Sequence, residues 1–262
     1  ESKIKSDKNL NSIVTIINRK NNLGYAKNFL LGLKDVGSSF DYYAFCDQDD
    51  IWEIDKTTDA IKHISKFNSS KPVLYCSRTT YYTKDCSKKI GYSKDFKKEK
   101  SFKNALIQNI AGGNTIVINK EARILVVKSL ICDKYVSHDW WCYLLVSAAG
   151  GKIIFNSKKS VKYRQHNKNL IGGNDRLKDK FERIKKIFSG DFKSWTNVNI
   201  KNLKKNKILI KKENFKTLQD FIIARSSTNP IIRLKFYFQS GVFRQSLIEN
   251  FIFIIGIFLK KI

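Results

Sequence analysis

A short apolar run, Tyr42-Tyr43-Ala44-Phe45, passes by way of Cys46 into Asp47-Gln48-Asp49-Asp50 and then Ile51-Trp52. The first part reads as a buried strand. The second sets three carboxylates within four residues. Like charges this close each raise the cost of ionising the others, so a cation or a set of donors must stand beside them. The chain must therefore fold so that a core strand ends where such a counter-charge can reach it. A calcium hand is excluded, because it needs further oxygen ligands in step and Gly at its sixth position, where this chain has Trp52. Asp47 and Asp49 are alternate residues and point the same way along an extended chain. Two carboxylates suffice for Mg2+ or Mn2+ when phosphate oxygens complete the shell.

The flanking pattern supplies a sheet. Ser12-Ile13-Val14-Thr15-Ile16-Ile17 is β-branched and predicts a strand. Asn22-Leu23-Gly24 predicts a turn. Tyr25, Phe29, Leu30 and Leu33 then fall on one face of a helix that Gly37-Ser38-Ser39 ends. A second helix begins near Lys56, with Ala60, Ile61, Ile64 and Phe67 inward, and Pro72–Cys76 follows as a strand. Strand, helix, strand, helix, strand is the order of a parallel α/β sheet. Ligands of such sheets bind beyond the carboxyl ends of the strands, where the acidic stretch lies. Residues 77–100 read as a polar excursion with a hairpin, and 101–108 as a short helix. Ala111-Gly112-Gly113-Asn114 is a glycine turn feeding a strand at 115–118, and 120–127 is helical. His138-Asp139 opens a further helix closed by Gly150-Gly151, and 152–155 and 161–165 read as two strands. From Arg176 onward the chain is Lys-rich without strand alternation. The predicted division is an α/β domain over 1–175 and a basic helical region over 176–262.

The formal net charge of +27 points to an anionic partner: nucleic acid, lipid headgroups or a phosphorylated substrate. Abundant Lys, Ile and Asn is equally what an AT-rich genome produces. The five cysteines are odd in number and form no CxxC pair, which argues against a zinc site or disulfide framework and fits a reducing compartment. Phe251–Leu259 is apolar apart from Gly256 but shorter than the roughly 20 residues needed to span a bilayer. With basic residues before it and Lys260-Lys261 after it, the run predicts an interfacial helix on an anionic membrane. The sequence contains no Met and begins with Glu1, which predicts that a natural N-terminal segment precedes it.

Three further stretches carry chemistry. Ser137-His138-Asp139-Trp140-Trp141 puts a carboxylate at a helix N-terminus, where the dipole favours its ionised form. Val161-Lys162-Tyr163-Arg164-Gln165-His166 ends a strand in a His. Gly112-Gly113-Asn114-Thr115 lets backbone approach a ligand closely. Each is weak by itself. In this order FCDQDDIW, AGGNT, SHDWW and YRQHNKNLIGG, with the earlier NLGYAKNF, resemble the bacterial family 2 glycosyltransferases, most closely their rhamnosyltransferase branch. The resemblance covers roughly Ser12 to Gly173.

The resemblance implies a GT-A-like (Rossmann-like) α/β fold, a mixed sheet flanked by helices, with a basic C-terminal helical region. It implies inverting transfer from a nucleotide-sugar donor, dTDP-L-rhamnose, to a lipid-linked or polysaccharide acceptor. Asp139 is then the expected general base. Asp47, Asn22 and Gly24 are the expected donor contacts, and Asp49 and His166 the ligands of Mg2+ or Mn2+. Asp50, Trp52, Gly113, Asn114, His138, Trp140 and Arg164 are the expected lining of the donor or acceptor site. The expected location is cytoplasmic, peripheral on the inner face of the membrane, with no nucleic-acid partner. Family members begin with a strand, a Tyr-Asn turn, a helix and a second strand carrying Asp-Asp-Gly-Ser, a unit that grips the nucleoside. That unit is absent here, so the chain by itself is expected to bind the donor poorly. An inactive remnant of such an enzyme and a basic nucleic-acid-binding module are the competing readings.

Overall fold

The computed structural model describes residues 13–165 and 190–262. Its centre is a six-stranded mixed sheet with helices packed on it. The strands are β1 (Tyr42–Ala44), β2 (Ile51–Trp52), β3 (Val73–Tyr82), β4 (Lys89–Tyr92), β5 (Val117–Asn119) and β6 (Lys152–Arg164). Their spatial order is β1-β5-β3-β6-β2, with β4 beside β3.

The expected parallel succession is corrected. Among the described strands only β3 and β6 run parallel; the β1–β5, β3–β5, β2–β6 and β3–β4 pairs are antiparallel. The strand expected at Ser12–Ile17 does not form where the chain is described: residues 14–19 carry no regular structure, and Ile13, Val14, Ile16 and Ile17 are exposed. Its β-branched residues favour extended backbone, but a strand is held only by pairing, and no ladder reaches this segment among the described residues. The two strands expected at 152–155 and 161–165 are one, β6. It follows β3 along the whole length of that strand and absorbs its extra residues in irregularities opposite Ser77–Thr79. The polar excursion after Cys76 is the second half of β3 turning back through β4.

β1 and β2 lie at opposite edges, although only Phe45–Asp50 separate them. Four strand spacings amount to about 19 Å in a flat sheet, close to the roughly 24 Å reach of this connection fully extended. A turn at Gln48-Asp49 fits only because the sheet curls. The acidic loop thus crosses the ends of the intervening strands.

The helices are α1 (Tyr25–Asp35), α2 (Lys56–Ile64), α3 (Phe102–Ala105), α4 (Lys120–Lys128) and α5 (His138–Ala148). The C-terminal helices are α6 (Asp191–Lys205), α7 (Lys212–Ser226), α8 (Pro230–Ser240) and α9 (Leu247–Phe258). Every residue of α5 is buried, as befits a helix apolar on most of its circumference. It is the central helix, and its N-terminus reaches the acidic loop. Leu203, Leu218, Phe221 and Phe253 of the C-terminal helices share one hydrophobic core with Leu30, Leu74 and Trp141.

Candidate active site

Asp50 joins three of the stretches singled out above. Its Oδ2 accepts a hydrogen bond from Asn114 Nδ2 at 2.5 Å, and its Oδ1 accepts from the Arg164 backbone N–H at 3.2 Å. One carboxylate thereby ties the acidic loop to the 3-10 turn Gly113–Thr115 and to the end of β6. Burial pushes the Asp50 carboxyl up to about 6; the two hydrogen bonds oppose this, and Asp47 and Asp49 add to it. Asp47 is also pushed up, by burial first, then by Asp49 and Asp139.

Asp139 therefore stands close enough to the acidic loop to act on Asp47. It is the second residue of α5 and is buried. Its Oδ1 accepts from its neighbour Trp140 N–H at 2.7 Å, and the N-cap Ser137 hydroxyl accepts from the same N–H at 3.4 Å. Among the described residues its other oxygen, Oδ2, accepts no hydrogen bond.

His138 opens the same helix inside an aromatic cage. Its ring stacks on Phe29 at 4.3 Å between centroids and meets the rings of Phe45 and Tyr25 edge-on. Burial lowers its pKa from the ordinary histidine value, with Asp139 opposing. Neither ring nitrogen has a hydrogen-bond partner among the described residues. Gly113 faces this ring: a Cβ there would lie 2.5 Å from His138 Nε2 and 3.6 Å from Asp139 Cβ. Close approach, not backbone conformation, is why the turn carries glycine at this position.

Asn22 and Gly24 adjoin the cluster through Tyr25. Asn22 Oδ1 accepts from the Gly24 N–H at 2.9 Å. Gly24 starts α1 at φ +73°, a region that favours glycine. The Tyr25 hydroxyl donates to the Val136 carbonyl at 3.1 Å, which fastens α1 to the segment entering α5.

Asp47, Asp49, Asp50, Gly113, Asn114, His138, Asp139 and the backbone of Arg164 thus come together at one end of the sheet. Trp140 faces the core instead, and Trp52 packs on Lys56 beside the loop. The Trp52 ring lies 3.6 Å from Lys56 Nζ. The Trp140 indole donates to the Ala105 carbonyl at 2.7 Å and packs toward Phe192. His166 lies outside the described residues. The sequence reading gave no role to Tyr163, whose hydroxyl is pushed up to about 12 by burial, then by Asp50, Asp47 and Asp49. Its position between Lys162 and Arg164 on the strand that ends at the site was the available signal. Lys56 was also missed: helical periodicity marks apolar residues, and this lysine is buried at 1% exposure with its pKa lowered to about 8.

Among the described residues, no group of three or more His, Cys, Asp or Glu side chains could hold a metal by itself. Asp47 and Asp49 fit a hard cation that takes its remaining ligands from phosphate oxygens. In the metal-free protein Asp47 and Asp50 hold protons more tightly than in the unfolded chain. Their ionisation therefore destabilises the fold as pH rises toward about 6. A bound cation offsets that repulsion only while the carboxylates are ionised. Millimolar Mn2+ is expected to raise the unfolding temperature by several degrees at about pH 7.5 and far less at about pH 5. Equal shifts at both would dismiss this pair as the metal site.

Residues 1–123 match the family described as Glycosyl transferase family 2. This stretch, just under half of the chain, carries the pattern of a family 2 glycosyltransferase. The dTDP-rhamnosyl transferase RfbG of Shigella flexneri is 32% identical over 180 residues, which cover 66% of this chain and 60% of that protein. The match therefore spans less than two thirds of that relative's length. No solved structure matches the chain. The mixed sheet with flanking helices agrees with the GT-A-like fold expected of a family 2 transferase. Asp139 and Arg164 lie beyond the matched residues 1–123, yet the fold returns both to the acidic loop.

Proposed function

We propose that the protein is an inverting, metal-assisted glycosyltransferase that moves L-rhamnose from dTDP-rhamnose to a hydroxyl of a cell-surface polysaccharide precursor. The observation that carries this reading is the meeting of one isolated carboxylate, Asp139, with the Asp47–Asp49 pair at a single sheet end. Inverting transfer is one displacement. It needs a base within hydrogen-bond reach of the acceptor hydroxyl and positive charge on the leaving diphosphate.

Asp139 takes the proton of the acceptor hydroxyl as its oxygen attacks the anomeric carbon. The bond from that carbon to the diphosphate oxygen breaks on the opposite side, and the diphosphate leaves with the electron pair. Mg2+ or Mn2+, when bound, supplies charge neutralisation to that leaving group. Asp47 and Asp49 would hold it, and Asp50 keeps their loop against Asn114 and the end of β6. The stacked, neutral imidazole of His138 fixes the start of α5 and hence the base.

The acceptor is lipid-linked or a growing polysaccharide, and the enzyme works peripherally on the inner face of an anionic membrane. The sugar assignment follows the similarity to the rhamnosyltransferase. The test offers the full-length protein a panel of nucleotide-sugars with Mn2+ and follows release of the nucleoside diphosphate in the presence of acceptor. Turnover is expected with dTDP-rhamnose and is expected to stop with a chelator. A preference for another donor would remove rhamnose from the reading, and turnover unaffected by chelation would remove the metal.

A further inference from the structure

The last two helices leave large apolar side chains uncovered on their outer faces. On α9, Leu247, Ile248, Phe251, Ile255 and Phe258 are all exposed, Leu247 at 77%. Their spacing of one, three, four and three residues keeps them on one stripe. Phe253, Gly256 and Ile257 form the opposite, buried stripe. On α8, Ile231, Ile232 and Phe238 are exposed, while Arg233, Tyr237 and Ser240 face inward. Scattered exposed apolar residues are ordinary on a soluble protein; a stripe on each of two neighbouring helices marks an interaction surface. The pair is braced from within. The Arg233 guanidinium, nearly buried, donates to the carbonyls of Ile257 and Phe258 at the end of α9 and of Ser227 and Thr228 before α8. Both helices are thus fixed in one platform.

We infer that the outer face of α8 and α9 lies in the headgroup region of a bilayer that contains anionic lipid. This deepens the membrane contact proposed above and names the surface that makes it. The charge around the stripes selects this occupant. Residues 230–262 contain five basic side chains and one acidic one. The acid, Glu249, faces Arg244 at 2.9 Å and Lys94 at 3.5 Å. Lys235 lies on the exposed stripe of α8, and Lys260 and Lys261 stand exposed beyond α9. Lys98 reaches the connection between the helices, bonded through its backbone to Gln245 and through its ammonium to the Arg244 carbonyl. Exposed lysines on and beside an apolar face suit anionic headgroups. A second copy would bring the same positive charge against itself. Among the described residues no helix is long and apolar enough to cross a membrane; α9 measures about 18 Å against a hydrocarbon core of about 30 Å. It lies along the surface.

From its inner side the platform is fixed to the core beneath α5. Phe253 of α9 meets Phe192 at 5.4 Å between ring centroids, and Phe192 meets Trp140 at 6.5 Å. Trp140 directly follows Asp139.

Sedimentation of the full chain with phosphatidylcholine vesicles, with and without about 30% phosphatidylglycerol, tests this without any sugar transfer, so its failure is separate from failure of the transferase reading. Tight binding is expected only with the anionic vesicles. The pair Ile248→Glu and Phe251→Glu, both exposed and tolerable to the fold, is expected to weaken partition by about tenfold or more. Lys260→Glu with Lys261→Glu is expected to weaken it several-fold at low salt and less at high salt. Far-UV circular dichroism checks that each variant is folded. Absence of wild-type binding, or binding unaffected by the Ile248/Phe251 pair, overturns the assignment. So does a concentration-dependent dimer abolished by that pair without vesicle binding, which would give the face to a second copy.

Discussion

Asp139→Asn is expected to lower the turnover of sugar transfer by about a thousandfold, within the range that general-base loss produces, while donor affinity and fold stability stay near wild type. The amide oxygen still accepts from the Trp140 N–H, so the start of α5 is kept. Its nitrogen side takes no proton from the acceptor. Removing the charge also relieves Asp47, whose carboxyl Asp139 helps to hold up, so nothing in the local electrostatics argues for unfolding. A fall in turnover with unchanged KM for the donor is the signature of a group acting on the chemical step. Steady-state kinetics in the full-length protein, beside thermal unfolding, separates this from a structural defect. Full turnover in the variant would rule out Asp139 as the base.

The sequence made the elements around the site legible because its signals there are local. The Asn22-Leu23-Gly24 turn, the apolar face of α1, the run into Asp47 and the start of α5 at His138-Asp139 each depend on a few neighbouring residues. Sheet topology was less legible. Strand order and direction are set by long-range pairing, and nothing local says that β1 and β2 occupy opposite edges. The same limit explains Ile13–Ile17, where β propensity pointed to a strand that no partner holds among the described residues. Within the site, residue types pointed to the right stretches but not to the bonds between them. That Asp50 binds Asn114 and the Arg164 backbone, rather than standing as a third equivalent carboxylate, follows only from the curl of the sheet. Trp140 likewise sits in a motif beside Asp139 yet turns its indole into the core, because the next residue along a helix points about 100° away.

Gly113→Ala is expected to cost more activity than stability, and the reason lies in what can move. The new Cβ would lie 2.5 Å from His138 Nε2 and 2.9 Å from Cε1, so one of the two groups must shift. The His138 ring is held by Phe29 on its face and by Phe45 and Tyr25 at its edges. The exposed side of the turn is freer, so the turn gives way. It carries Asn114, and with it the hydrogen bond to Asp50 that seats the acidic loop. Overpacking of this kind lowers stability by about 1–3 kcal/mol. Misplacement of the loop by about 1 Å is enough to lower turnover by about a hundredfold. Adding His138→Ala removes the obstructing ring. Both single variants are expected to be destabilised, and the double variant to be more stable than their sum by about 1 kcal/mol or more. Chemical denaturation of the four proteins measures this coupling. Strict additivity would show that Gly113 and His138 do not press on each other, and the glycine would then owe its place to something other than the ring that opens α5.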